Sequence, residues 1–178
     1  MSIRNLDKIL NPKRVAVIGA SNKPGGVGHT VLRNLITGGF SGVVYPVNPK
    51  SESVQGIQAY PDVAALPKPA DLAVICTPAP TVPDLVEQCG KAGILGIAIL
   101  SAGFRETGKE GMKLEQRIIR TAEKYDGMRV VGPNSLGVIV PRIGLNASFA
   151  ASMPRPGRLA FISQSGALCT SVLDWAEQ

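Results

Sequence analysis

The chain has 178 residues, 44 % of them hydrophobic and 18 % charged, which excludes a disordered polymer and allows one complete α/β domain plus a remainder. Its formal charge of +6 favours anionic partners, yet aromatics make up only 4 % and no dense Lys/Arg run occurs, so the features of a nucleic-acid binder are missing. The longest apolar stretch, Ile94 to Leu100 with Gly96 inside it, is too short to span a bilayer, and no export segment opens the chain, so a cytoplasmic protein with no membrane contact is expected.

The first residues, MSIRNLDKILNPKR, alternate charged and apolar positions as an amphipathic helix would. Arg14 to Gly19 reads as a buried, β-branched strand. Val27 to Thr37 follows as a helix stopped by Gly38-Gly39, and Gly42 to Val47 as a second strand. A long connection with one helical turn at Asp62 to Leu66 leads to a third strand, Asp71 to Cys76. Pro83 to Ala92 is a helix ended by Gly93, Leu95 to Leu100 a fourth strand, Gly108 to Tyr125 a long charged helix, and Met128 to Val131 a fifth strand. Strands and helices alternating at this spacing imply a Rossmann-like, doubly wound parallel sheet over residues 1–131, with right-handed crossovers and helices on both faces. Residues 132–157 read as a connection, since Pro141 to Gly157 carries three prolines and little periodicity. Arg158 to Ile162 and Ala167 to Ala176 begin a second strand–turn–helix unit, residues 158–178, which stops without partner strands; the alternative is a C-terminal helix docked on the first domain. Cys76, Cys89 and Cys169 are odd in number, lack C-x-x-C spacing and sit among apolar residues. They read as buried thiols in a reducing compartment.

In an open parallel sheet the ligand crevice lies beyond the carboxyl ends of the strands. Those ends read Gly19-Ala20-Ser21, Asn48-Pro49-Lys50, Thr77-Pro78-Ala79 and Ser101-Ala102-Gly103, all small or polar groups that let backbone amides approach a ligand. The first loop carries Gly19, Gly25, Gly26 and Gly28 ahead of a helix whose N–H groups and dipole suit a phosphate, and Lys23 adds charge. Its spacing is neither G-x-G-x-x-G nor a Walker A loop, and a tight βα turn is the plain alternative. About twenty residues on, where an NAD site presents an acid for the ribose hydroxyls, stands Asn48-Pro49-Lys50. An amide and an ammonium suit a ribose that bears phosphate. An NADP-dependent oxidoreductase shares that requirement but would need a hydride-transfer cluster, and none is visible. A non-enzymatic ligand-sensing module is a third reading.

His29 is the one histidine, stands just inside the helix after the glycine loop and has no acid or nucleophile paired with it by spacing, so no catalytic residue is assigned. Ser163-Gln164-Ser165-Gly166 follows the expected strand and opens a helix, a second phosphate-suited turn in which Ser163, Ser165 and Gly166 are the candidates and a simple N-cap by Ser165 is the alternative. It is not the G-x-S-x-G elbow of hydrolases.

Taken in order, VAVIGAS-x-x-PG, VNPK, VICTPAP, ILSAGF, VGPNSLG and GRLAFISQSGAL resemble the NDP-forming acyl-CoA synthetases, relatives of the succinyl-CoA synthetase α subunit, over nearly the whole chain. GLNASF and VLDWA resemble in particular the branch fused to a GNAT-type protein lysine acetyltransferase. The resemblance implies that the first domain binds coenzyme A or acyl-CoA and that a flavodoxin-like α/β domain begins at the end of the chain. It places Ser21, Lys23 and the Gly25-Gly26 backbone near the diphosphate, and Asn48 and Lys50 near the adenosine end. Thr77-Pro78-Ala79 and Ser101-Ala102-Gly103 would follow the remaining arm, with Asn134 at the thioester. ATP, ADP and Mg²⁺ would be handled by an ATP-grasp domain or subunit outside these residues, so this stretch alone is expected to bind CoA without turnover.

Overall fold

The computed structural model describes residues 3–176. The chain runs α1 (Asp7–Leu10), β1 (Arg14–Ile18), α2 (Val27–Thr37), β2 (Val43–Val47), the two-residue strands β3 (Ser53–Val54) and β4 (Ile57–Gln58), β5 (Leu72–Ile75), α3 (Val82–Lys91), β6 (Gly96–Ile99), α4 (Lys109–Lys124), β7 (Arg129–Val131), β8 (Gly137–Val140), β9 (Leu145–Ser148) and α5 (Gly166–Ala176). Five strands pair in parallel in the order β2-β1-β5-β6-β7. The chain leaves β1 towards one edge and returns to β5 on its other side, so the topological switch point lies between β1 and β5.

The pleat divides the apolar residues between two cores. Val15, Val17, Leu72, Val74 and Ala98 meet Val31, Leu32 and Leu35 of α2. Ala16, Ile18, Ala73, Ile75, Ile97 and Ile99 face the other way, against Val82 and Val86 of α3, Ile118 of α4 and Phe104. Strands covered on both faces carry no polar alternation, which is why they read as continuous apolar runs. The expected Rossmann-like α/β sheet is the observed one.

On the α2 face, part of the cover comes from an unexpected source. Residues 137–148 form the antiparallel hairpin β8–β9, where the sequence reads as part of a connection. Leu145 and Ala147 of β9 are fully buried against α2. Asn34, buried on α2, donates through Nδ2 to the carbonyls of Ser148 (2.9 Å) and Ala150 (2.8 Å), so a helix side chain supplies the end of the hairpin with its polar partners.

Asp71, at the start of β5, holds the opposite end of the sheet. Its carboxylate accepts from Lys8 Nζ of α1 at 2.9 Å and from the backbone N–H groups of Lys13 and Arg14 at 3.0 Å each. Burial pushes this carboxyl up, but the Lys8 and backbone hydrogen bonds outweigh it and hold the group below its ordinary value.

The outer edge of β2 is closed by its own sequence. Pro46 brings no N–H to the sheet, its carbonyl accepts from Tyr60 N–H at 2.9 Å, and the Tyr60 carbonyl accepts from Asn48 N–H at 2.9 Å.

Other departures are local. The expected opening helix is a single turn, Asp7–Leu10, and Met1 and Ser2 at its start lie outside the described residues. The turn at Asp62 is held by its own carboxylate, which accepts from the N–H groups of Ala64 and Ala65 at 2.9 Å, and does not propagate as helix. Arg158 to Ile162 is not a strand; Leu159 and Ile162 are 93 % and 97 % exposed, and no described residue pairs with the segment. The helix after it is present as α5, with Trp175 exposed, while Glu177 and Gln178 lie outside the described residues.

Candidate functional site

The loops at the carboxyl end of the sheet touch one another and form a continuous rim. Gly19, with φ +87°, packs so closely on the loop after β5 that an added Cβ would lie 2.8 Å from Thr77 Cγ2, directly at the switch point. Asn48 Nδ2 donates to the Ala20 carbonyl at 2.8 Å and joins the loop after β2 to the loop after β1. Ser101 Oγ donates to the Thr77 carbonyl at 2.5 Å, and the Ser101 carbonyl accepts from Asn134 N–H at 2.9 Å. The residues named from the four strand ends and Asn134 are therefore brought together by direct contact.

Helix α2 presents its N-terminus to this rim. Gly26 stands at the cap with no side chain bonded to the first turn, and no acid occupies that turn, so its leading N–H groups and the positive end of the dipole are available to an anion. Gly28 lets the helix approach: an added Cβ would lie 2.0 Å from the Gly19 carbonyl oxygen. Ser21 Oγ accepts from Lys23 N–H at 3.0 Å and shapes the start of the loop. Lys23 and Lys50 are exposed, and neither has an ion-pair partner among the described residues.

Several expected contact groups are already engaged within the fold. The Asn48 carbonyl oxygen Oδ1 accepts from Lys50 N–H at 2.8 Å, so both ends of that side chain stitch loops together. Gly103 N–H donates to Glu106 Oε1 at 2.6 Å. That bond, aided by the N–H groups of Glu106 itself and Phe104, holds the Glu106 carboxyl below its ordinary value despite its partial desolvation. The hydroxyls of Thr77 and Thr81 lie 2.8 Å apart, and Thr81 donates its single proton to the Pro78 carbonyl at 2.8 Å. Thr77 is then the donor of the pair and meets a ligand as an acceptor, which suits a hydroxyl or amine and not a phosphate oxygen.

Ser165 acts as the N-cap of α5, its Oγ accepting from Leu168 N–H at 3.2 Å, while Ser163 Oγ accepts from Ser165 N–H at 3.0 Å. No hydrogen bond among the described residues joins Ser163, Ser165 or Gly166 to the rim. His29 offers its backbone carbonyl to Gln55 Nε2 at 2.9 Å. Among the described residues no cluster of His, Cys, Asp or Glu is placed to hold a metal, and no helix is long and apolar enough to cross a membrane.

Open grooves also lie away from the rim. One of about 670 Å³ runs between α4 and β7, past Ile118, Tyr125 and Arg129, and one of about 460 Å³ lies at the amino ends of β1 and β2, past Lys13, Tyr45 and Lys68. Neither gathers a helix N-terminus or a glycine loop, the combination that the rim offers to an anion.

Burial pushes the thiols of Cys76, next to Thr77, and Cys89, on α3, up to about 12, so neither is a nucleophile at neutral pH. The sequence reads all three as buried, but only Cys89 is, Cys76 and Cys169 being half-buried; titration of the native chain at pH 8 with an aromatic disulfide reagent should therefore modify Cys169 first, Cys76 more slowly and Cys89 only in denaturant. Rapid reaction of two or more thiols in the folded chain would contradict the packing.

The comparisons with known proteins agree with this geometry. The model of the CoA binding domain matches residues 13–141. The chain is 47 % identical over 173 residues to the ADP-forming acetate–CoA ligase I of Archaeoglobus fulgidus, covering 97 % of this chain and 25 % of that protein. It is 45 % identical over 175 residues to the α subunit of acetate–CoA ligase (ADP-forming) I of Pyrococcus furiosus, covering 96 % and 38 %. Among solved structures it superposes with a TM-score of 0.90 and 40 % identity on the acetyl-coenzyme A synthetase 1 of Ca. Korarchaeum cryptofilum in complex with phosphate and ADP, over 96 % of this chain and 36 % of that one. The chain thus spans between a quarter and two fifths of the length of these relatives. A domain model that runs from the foot of β1 to the end of β8, across every loop of the rim, leaves one assignment: the chain belongs to the CoA-binding domain family.

Proposed function

We propose that the rim holds coenzyme A in an extended pose and that the chain is the CoA-binding part of an ADP-forming acyl-CoA ligase. The observation that carries the reading is the α2 N-terminus, bare of any side-chain cap or acid, with Lys23 in the loop before it and Lys50 in the loop after β2, neither in an ion pair among the described residues. In this pose the diphosphate lies over Ser21, Lys23, Gly25 and Gly26. Lys50 reads the ribose 3′-phosphate beside Asn48 and Pro49. Thr77, Pro78 and Ala79 and then Ser101, Ala102 and Gly103 follow the arm towards Asn134. Because Asn48 and Gly103 N–H have partners within the fold, their part is to shape the loops, with Lys50 supplying the charge.

The division at residue 131 gives way to one in which the β8–β9 hairpin completes the first domain, the residues after it up to 157 form the connection, and residues 158–178 start a flavodoxin-like domain whose turn at Ser163, Ser165 and Gly166 takes a phosphate. Nucleotide and Mg²⁺ are left to an ATP-grasp domain or subunit, a reading supported by the relative described as an α subunit. Fusion to a GNAT acetyltransferase is a second arrangement, which rests on GLNASF and VLDWA alone. A cytoplasmic setting accords with the three free thiols.

Calorimetry tests the reading. CoA should bind, dephospho-CoA should bind about tenfold more weakly, and Lys50→Ala should remove that difference, as expected for one charge-assisted contact. Absence of CoA binding by the folded chain overturns the assignment, and equal affinity for the two ligands removes the 3′-phosphate role of Lys50.

A further inference from the structure

The hairpin β3–β4 grips the glycine loop from the side. Its two-residue tip, Gln55-Gly56, has φ of +52° and +78°, the pair of left-handed values that defines a type I′ turn. Asn, Asp and Gly favour the first of these positions, and a longer side chain there is strained. Strain of this kind, held in place beside a ligand loop, directs attention to what the side chain reaches.

Gln55 Nε2 donates to the His29 carbonyl in the first turn of α2 at 2.9 Å, and Gln55 N–H donates to Asn22 Oδ1 at 2.8 Å. Asn22 Nδ2 in turn donates to the Ser53 carbonyl at 3.1 Å. The tip therefore bonds to the glycine loop on both sides of Lys23 to Gly26, at Asn22 before it and at His29 after it. Ser21 fixes the start of that stretch and Thr30 N–H its end, at the Gly26 carbonyl, but between them the one internal bond is a long one, Gly26 N–H to the Lys23 carbonyl at 3.4 Å, so the middle of the loop does little to fix its own shape. Asparagine at position 55 would suit the turn better but is one methylene short of His29.

We propose that Gln55 and Asn22 are positioning residues of the anion site: a clamp that sets the shape of the loop so that its N–H groups and those of α2 converge on one diphosphate-bearing ligand. The ligand half of this statement rests on the CoA reading above, and the clamp half does not. Preorganised donors bind an anion more tightly than donors that must first be ordered, so the clamp acts on affinity without touching the ligand.

The test uses Gln55→Asn and Asn22→Ala in the full 178-residue chain, read by thermal midpoint, by amide hydrogen exchange over residues 23–30 and by CoA calorimetry. In Gln55→Asn the midpoint should hold or rise, exchange at Lys23, Gly26 and Thr30, the amides of this stretch that have acceptors, should quicken, and CoA should bind about fivefold more weakly, the effect of one lost hydrogen bond. Asn22→Ala should quicken the same amides. Wild-type exchange and wild-type affinity in both variants overturn the clamp, as does an affinity that falls only in step with the thermal midpoint. Failure of the parent chain to bind CoA, with exchange still quickened in Gln55→Asn, removes the ligand reading and leaves the clamp standing.

Discussion

Gly28→Ala is expected to lower the free energy of unfolding by about 3 kcal/mol and to weaken CoA binding about a hundredfold, because the added methyl has no space to enter. The new Cβ would lie 2.0 Å from the Gly19 oxygen and 2.9 Å from its carbonyl carbon, both backbone atoms that no rotamer change can move. Relief requires α2 to lift off β1. That motion is opposed by Val31, Leu32 and Leu35, all fully buried on the same helix. A displacement of about 1 Å at the first turn also carries the anion-facing N–H groups out of register, which is the source of the affinity loss. Gly25→Ala is the control. Its Cβ meets nothing within 4 Å, so only the φ of +78° opposes it, and a cost of about 1 kcal/mol is expected. Denaturant midpoints and calorimetry on both variants check the contrast, and a Gly28→Ala protein within 1 kcal/mol of the parent would refute the close approach.

Asp71→Asn should destabilise the fold by about 3 kcal/mol, since its one remaining acceptor oxygen can serve the Lys13 and Arg14 N–H groups only by turning an amide donor towards the Lys8 ammonium, or the reverse. Three elements meet at this carboxylate, so the loss frees α1 and the start of β1 together. The pH dependence follows from the sign of the shift. The folded-state value lies below the ordinary carboxylate value, so above that ordinary value the group contributes its full stabilisation. As pH falls towards the folded-state value the unfolded chain takes up the proton first, and stability drops. Urea midpoints between pH 3 and 7 should therefore fall more steeply for the parent than for Asp71→Asn. Parallel profiles would show that Asp71 does not carry this linkage.

The sheet was legible in the sequence because its three central strands are covered on both faces and bounded by glycine, proline or polar residues, so an apolar run alone identifies them. Arg158 to Ile162 shows the boundary of that logic: an apolar run encodes the capacity to pair but not the partner, and here no described strand accepts it. The two hairpins escaped for different reasons. Each strand of β3–β4 has two residues, too few for a period, and its tip is Gln-Gly where Asn-Gly would have announced the turn. The β8–β9 loop is built on Pro141, and β9 buries Asn146 and Ser148, whose side chains bond each other at 2.6 Å; proline and polar residues read as a connection until that pairing is visible. At the candidate site, position along the chain located the four loops. What it did not reveal was competition from neighbours, since the capture of Gly103 N–H by Glu106 and the double engagement of Asn48 are properties of folded geometry.

The closed edge of β2 has a consequence for how this domain meets other chains. An exposed parallel sheet invites a foreign strand to add to its rim, the first step in edge-to-edge aggregation. On one side Pro46 withholds a donor, and the Tyr60 strip takes up the polar groups beside it. On the other, β7 is three residues long and runs directly into Gly132-Pro133, too short a template for a stable ladder. Sheet extension is thereby suppressed at both ends, and association has to proceed through side-chain surfaces of helices and loops, where recognition depends on shape and charge instead of main-chain pairing.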